Sequence, residues 1–308
     1  MSRYLQDRVC YVGQQDVYEE ASESLKELLG IEVSHTQIER VCECYGKLLE
    51  AADNEAKPVD QMAVEADEML YAMADGSMIL TREEGWKEIK LGRLFKAGSH
   101  EAISEKRFRI SDSVYTAHVG GYKEFVAKWE KEIPIHGKLV LLADGAPWFW
   151  DWAKESYPQA IQILDYYHCK EYLCEFAGKY FEKKKDREKW IEQQEKRLFQ
   201  DKVDEVIEEI KALPIKALEH NAIKKTILTY YENNRSRMLY GSYRKQGLLI
   251  GSGPIEAAHR NVIQKRLKLA GQRWSKAGAQ WIANLRVYRK SKRWNKIVEL
   301  SNSEKLAA

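Results

Sequence analysis

Cysteine, proline and histidine are all scarce in this chain: five Cys, six Pro and seven His in 308 residues. Five cysteines at irregular spacing exclude a disulfide framework, and the odd count leaves at least one free thiol, so a reducing, cytoplasmic setting is expected. No run approaches the roughly 18 consecutive apolar residues of a membrane span. The N-terminus, Met-Ser-Arg-Tyr-Leu-Gln-Asp-Arg, lacks the apolar stretch of a secretory signal. There is neither an internal repeat nor a low-complexity segment. Collagen, mucin, membrane and small secreted classes are excluded.

What is present is a composition of 44% hydrophobic and 31% charged residues, that of a globular chain long enough for one large core or two smaller ones. The formal charge of +3 conceals a segregation. Between Arg235 and Lys296 there are sixteen Lys/Arg and one acid, Glu256, a balance of +15 against −12 for the rest of the chain. Such a separation of sign is the mark of a surface that binds a polyanion.

Residues 14–52 carry helical apolar spacing, with Gly30 as a stop and Ser34 or Thr36 as the cap of a second helix. The pair reads either as an ordinary helical hairpin or as a helix-turn-helix. Residues 52–67, acidic and polar with Pro58, read as a linker. From Met69 the period becomes that of strands: 69–80, Trp86–Phe95 and Arg107–Val119, followed by a short helix over 122–131. The apolar runs 139–143 and 160–164 read as buried strands separated by a Trp-rich helix over 147–156. Beyond His168 the chain is helical, broken by the glycine-rich Gly247–Gly253, with last helices at 254–268 and 275–293. This order predicts an α/β sheet domain interrupted by a helical block.

Three apolar, strand-like runs each end in an aspartate: Asp75, Asp144 and Asp165. Ligands gather at the carboxyl ends of such strands, and carboxylates meeting there are relieved by a hard divalent cation, which with few histidines means magnesium or manganese. Asp-Gly is also a common turn. Asp75 departs from that reading, because strand-like residues continue past it and the turn falls later, at 82–85. Glu256 sits near the start of a helix opened by Gly253-Pro254, where an acid suits the helix dipole and Arg260 is one turn away. As the only acid among sixteen cations it suits a metal ligand beside a nucleic-acid surface equally well.

Asp165 and His168 lie where a loop enters a helix, so both could face one site, the histidine contacting a phosphate or orienting a water. Zinc on Asp165, His168, Cys169 and Cys174 is a weaker alternative with irregular spacing. In the basic segment Arg286, Arg289, Lys290 and Arg293 share one helical face, and Arg266, Lys268 and Arg273 add charge nearby. Trp274 would stack on bases or belong to the core.

Four ordered blocks give the chain a family resemblance. Met73-Ala74-Asp75-Gly76 with Gly85-Trp86-Lys87-Glu88-Ile89-Lys90-Leu91-Gly92 resembles the first catalytic block of DDE-type insertion-sequence transposases, in particular the IS-Kra family, distant relatives of the Mutator-like transposases. Ala143-Asp144-Gly145-Ala146-Pro147-Trp148-Phe149-Trp150 resembles the second block and Ile163-Leu164-Asp165-Tyr166-Tyr167-His168 the next. Gly251-Ser252-Gly253-Pro254-Ile255-Glu256, Arg266-Leu267-Lys268 and Gly271-Gln272-Arg273-Trp274-Ser275 resemble the third catalytic block. The resemblance implies a ribonuclease H-like core interrupted by an all-helical insertion. Asp75, Asp144 and Glu256 would be its metal-binding triad for Mg2+ or Mn2+, with Asp165 and His168 as accessory catalytic residues. Members of the family are expected to carry a further N-terminal DNA-binding region, whereas this chain starts close to its helical hairpin.

The expected organisation is therefore an N-terminal helical region with linker (1–67), the first part of the catalytic core (68–168), the helical insertion (169–246), and a final catalytic helix with basic C-terminal helices (247–308). The expected activity is transposition by two-metal phosphoryl transfer: cleavage at element ends, then attack of the 3′-hydroxyl on target DNA. Arg266, Lys268, Arg273, Trp274, Arg286, Arg289, Lys290 and Arg293 would hold double-stranded DNA, in a homo-oligomer of at least two chains on the bacterial nucleoid. The rival readings are a magnesium-dependent nuclease without strand transfer, and a truncated or repurposed protein that only binds DNA.

Overall fold

The computed structural model describes residues 1–55, 62–104, 107–135, 137–215 and 218–302. The chain divides into two units, Met1–Lys138 with Pro254–Ala308, and Leu139–Gly253.

The first unit opens with three helices, α1 (Arg3–Gly13), α2 (Tyr18–Leu29) and α3 (His35–Glu55). Gly30 ends α2 in the left-handed region, at φ 65°; its N–H donates to the Lys26 carbonyl and that of Ile31 to the Leu25 carbonyl, the closure that glycine makes without a Cβ penalty. Ser34 then opens α3 through a reciprocal capping box: its Oγ accepts from the N–H of Gln37 at 3.3 Å, and Oε1 of Gln37 accepts from the N–H of Ser34 at 3.2 Å. Helix α3 runs to Glu55, past the expected start of the linker at 52; Pro58 lies outside the described residues.

Strands β1 (Met69–Thr81) and β2 (Gly85–Lys96) form a long antiparallel hairpin in which Asp75 pairs with Leu91 and Thr81 with Gly85. Asp75-Gly76 is thus mid-strand, and the turn lies at Arg82–Glu84 as the sequence pattern requires. The predicted strand Arg107–Val119 is two: β4 (Arg107–Ile110) pairs with β3 (His100–Ser104) in a separate ribbon, and β5 (Val114–Val119) pairs antiparallel with β2. Helix α4 (Tyr122–Trp129) closes this part. The C-terminal segment returns to the same unit. Trp274 bonds to Leu80 and Arg82 beside β1, and α13 (Lys276–Lys290) packs on α3 and β5, burying Ile282, Ala283 and Leu285 near Tyr45 and Leu49. Between α13 and β5, Gln280 accepts from Val119 N–H at 2.8 Å and donates to Ala117 carbonyl at 3.1 Å, so a buried amide is satisfied by the sheet.

In the second unit β6 (Lys138–Ala143) and β7 (Ile161–Leu164) run parallel, joined by α5 (Pro147–Ser156). Parallel pairing requires such a crossover, and it explains the uninterrupted apolar run Val140–Ala143, wholly buried. Helices α6 (Tyr166–Tyr180), α7 (Lys184–Leu198), α8 (Val203–Ala212), α9 (Leu218–Asn234) and α10 (Tyr240–Lys245) follow. Their core is aromatic: Phe176, Trp190, Tyr231 and Tyr240 are buried among Leu173, Ile210 and Ile227. The chain is an α/β protein, and among the described residues no helix is long and apolar enough to cross a membrane.

Candidate catalytic residues and basic surface

In the first unit Asp75 and Glu256 belong to neighbouring elements. Pro254 opens α11 (Gly253–Ala258), which continues through a π-helical turn, His259–Gln264, into α12 (Lys265–Leu267). The start of α11 is held by Arg93, a buried residue of β2 whose guanidinium donates to the Pro254 carbonyl at 2.6 Å and to Ser113 Oγ. One turn past Glu256, His259 is buried and its Nε2 lies 3.0 Å from the main-chain oxygen of Asp75 and 3.8 Å from its Oδ2. Burial lowers the His259 pKa against the opposing pull of Asp75, so the ring is neutral near pH 7. The other ring nitrogen, Nδ1, is buried without a hydrogen-bond partner. His259 thus links the helix of Glu256 to the strand of Asp75. Its i+3 spacing from Glu256, which puts both on one face of a helix, is the only sequence signal that marks it. The Asp75 side chain is 40% exposed and Glu256 is exposed.

In the second unit Asp144 directly follows β6. Its Oδ1 accepts from Ala146 N–H at 3.0 Å and its carbonyl from Trp150 Nε1 at 2.7 Å, which fixes the Asp-Gly-Ala-Pro-Trp turn. Gly145 is pressed against the Tyr230 ring with no room for a Cβ.

Asp165 and His168 are not brought to one task. Asp165 is 4% exposed and caps α6, accepting from Tyr167 N–H at 2.9 Å and from Ser252 Oγ at 2.6 Å. His168 is partly exposed and pairs with Glu171 on its own helix at 3.2 Å. The zinc alternative is not assembled: the Cys169 thiol is wholly buried against Tyr231, and His168 pairs with Glu171. Among the described residues no group of three or more His, Cys, Asp or Glu is gathered to hold a metal ion.

The basic segment divides into inner and outer cations. Arg266 is buried between the rings of Tyr18 and Trp274 and donates to Gly13 carbonyl at 3.2 Å. Arg286 is buried and donates to the carbonyls of Gln14, Val262 and Asn261. Desolvation, with Arg266 and Arg289 nearby, lowers its pKa to about 10. Arg286 therefore does not lie on the exposed face where the helical spacing put it, nor does Arg266 add to the surface charge nearby; they tie α13 and α12 to the N-terminal helices. Trp274 belongs to the same interior, its Nε1 donating to Leu267 carbonyl at 3.2 Å. Arg293 is held by both oxygens of Glu132, and Arg289 lies on the Tyr11 ring and bonds to Gln15. Lys268, Arg273 and Lys290 are exposed as expected, together with Arg260 and Lys265. The Lys290 pKa is lowered by partial burial and by the positive charge of Arg286, Arg289 and Lys265.

A search of protein-family models finds none that matches the chain, and no curated protein matches it.

Proposed function

We propose that this protein is a DNA transposase of an insertion sequence, with a ribonuclease H-like core. The observation that carries the proposal is the crowding of like charge on α12 and α13. Beyond the effect of burial, Arg286, Arg289 and Lys265 lower the Lys290 pKa, and Arg266 and Arg289 lower that of Arg286 against the pull of Asp16, an arrangement that a phosphate backbone relieves. The order of elements supports the core: an antiparallel hairpin with Asp75 in its first strand, β5 beside it, parallel β6 and β7 with Asp144 at a carboxyl end, a helical block, then the helix of Glu256.

The donor set suits a hard cation, being three carboxylates with no thiolate, each at least partly open to solvent. The sequence blocks, not a gathered group of side chains, name Asp75, Asp144 and Glu256 as the residues that would hold it. Magnesium bound there supplies neutralisation of the charge that develops in phosphoryl transfer. Arg93 fixes the first turn of the helix that presents Glu256, and His259 ties that helix to the main chain at Asp75. Lys268, Arg273 and Lys290 would hold the phosphates of double-stranded DNA from element ends and target. Joining two ends calls for at least a dimer, working on the bacterial nucleoid.

The test is magnesium-dependent cleavage of DNA that carries the flanking element ends, with Asp144→Asn as control. Cleavage lost in the variant, with joined products in the native protein, supports transposition. Cleavage without joined products identifies a nuclease. Salt-sensitive binding with no cleavage identifies a DNA-binding remnant.

A further inference from the structure

The second unit holds a cavity of about 680 Å³ between α5, α6 and α9, within the size range of small-molecule sites. Its walls are flat and fixed. Tyr172 and Tyr230 stack at 3.9 Å between centroids. The Arg237 guanidinium lies over the Trp150 ring at 4.4 Å and is pinned by Gln162, Asn233 and Asn234, while Trp150 is itself pinned to the Asp144 carbonyl. Lys154 and Lys225 line the same cavity, are exposed, and form no ion pair among the described residues. The Tyr230 ring lines this wall, and its hydroxyl is buried away from solvent.

Flat aromatic and guanidinium faces suit a planar ring, and free cations suit a phosphate. A bare phosphate leaves the aromatic wall unused, and an apolar ligand leaves the lysines unused. We propose that this cavity binds one unpaired nucleotide, its base against the aromatic wall and its phosphate at Lys154 and Lys225. The nucleotide is either free or an extrahelical nucleotide of a DNA strand. The proposal stands without the transposase reading, since binding is measured without cleavage.

The test uses the full chain and no divalent metal. Calorimetry compares dAMP with inorganic phosphate and deoxyadenosine, and anisotropy compares a duplex carrying one extrahelical nucleotide with its fully paired counterpart. A free ligand is identified when dAMP binds at least about tenfold more tightly than either of its parts. A strand nucleotide is identified when the bulged duplex binds more tightly than the paired one. In either case Lys225→Ala weakens binding about tenfold, and Thr229→Trp, an exposed position on the cavity wall, removes it while circular dichroism stays native. The proposal is overturned if neither preference exists, or if the Thr229→Trp protein retains it.

Discussion

Ser252 Oγ donates a 2.6 Å hydrogen bond to Oδ2 of Asp165, fastening the glycine-rich break to the first turn of α6. The N–H of Tyr166 reinforces the link by donating to the Ile250 carbonyl at 2.8 Å. Two of the sequence blocks, Asp-Tyr-Tyr-His and Gly-Ser-Gly, thereby meet through a buried carboxylate whose work is to cap a helix and hold a loop.

That role predicts a stability effect. Ser252→Ala removes one bond to a buried carboxylate and is expected to destabilise by about 1–3 kcal/mol. Asp165→Ala loses the cap as well and should cost more than Ser252→Ala, whereas Asp165→Asn retains a cap oxygen and falls between. Asp144→Asn keeps an acceptor for the Ala146 N–H and is expected within about 0.5 kcal/mol of native. Urea unfolding measures all four. Native-like stability in Asp165→Ala would contradict the structural assignment.

Much of this architecture was legible because local signals were strong. Gly30 stops α2 and Ser34 with Gln37 opens α3, features that short-range chemistry decides. Asp75 could be kept mid-strand because Met78, Ile79 and Leu80 continue the strand beyond it. What was not legible depends on partners far away in sequence. The 3.6-residue period puts Arg286 beside Arg289 and Lys290, but only the fold brings the Gln14 and Val262 carbonyls to its guanidinium. The same holds for Arg266, enclosed by Tyr18 and Trp274. A buried arginine and a phosphate-binding one have the same composition and spacing. The break that splits 107–119 was likewise hidden, because both pieces have the β-branched and aromatic character of one strand.

Gly145 offers a second test. With the Tyr230 ring against its α-carbon, Gly145→Ala forces the ring or the Asp144 turn to move, and is expected to destabilise by about 1–3 kcal/mol. Because Tyr230 also lines the cavity, nucleotide affinity should fall with it. Unchanged stability and affinity together would show that the turn yields freely.

The division of the basic segment predicts two classes of variant. Arg286→Ala strips hydrogen bonds from three main-chain carbonyls in a buried setting, and should lower stability by about 3 kcal/mol or more. Lys268→Ala and Arg273→Ala lie at the surface and should stay within about 0.5 kcal/mol of native stability. Each should make the logarithmic salt dependence of DNA binding shallower by about one unit. Denaturation separates the classes, and a salt titration of DNA affinity checks the second. Equal salt slopes in native and surface variants would remove these two lysine and arginine positions from the DNA contact.

Acid sensitivity follows from His118 on β5. Burial, then Lys128, lower its pKa from the ordinary 6.5, with Lys276 and Lys90 acting the same way and Glu124 opposing them. In the unfolded chain the ring takes up a proton as pH falls through 6.5; in the folded chain it does so only at lower pH. The unfolded state thus binds more protons in that window, and stability rises with pH up to about 6.5 and falls below it. His259, also lowered by burial, acts in the same direction. Urea unfolding at about pH 7.5 and about pH 5.5 should therefore show the native protein losing stability toward acid, and His118→Asn losing less. A variant with the same acid loss as the native protein would mean that the His118 ring takes up its proton equally well in the folded and unfolded chain.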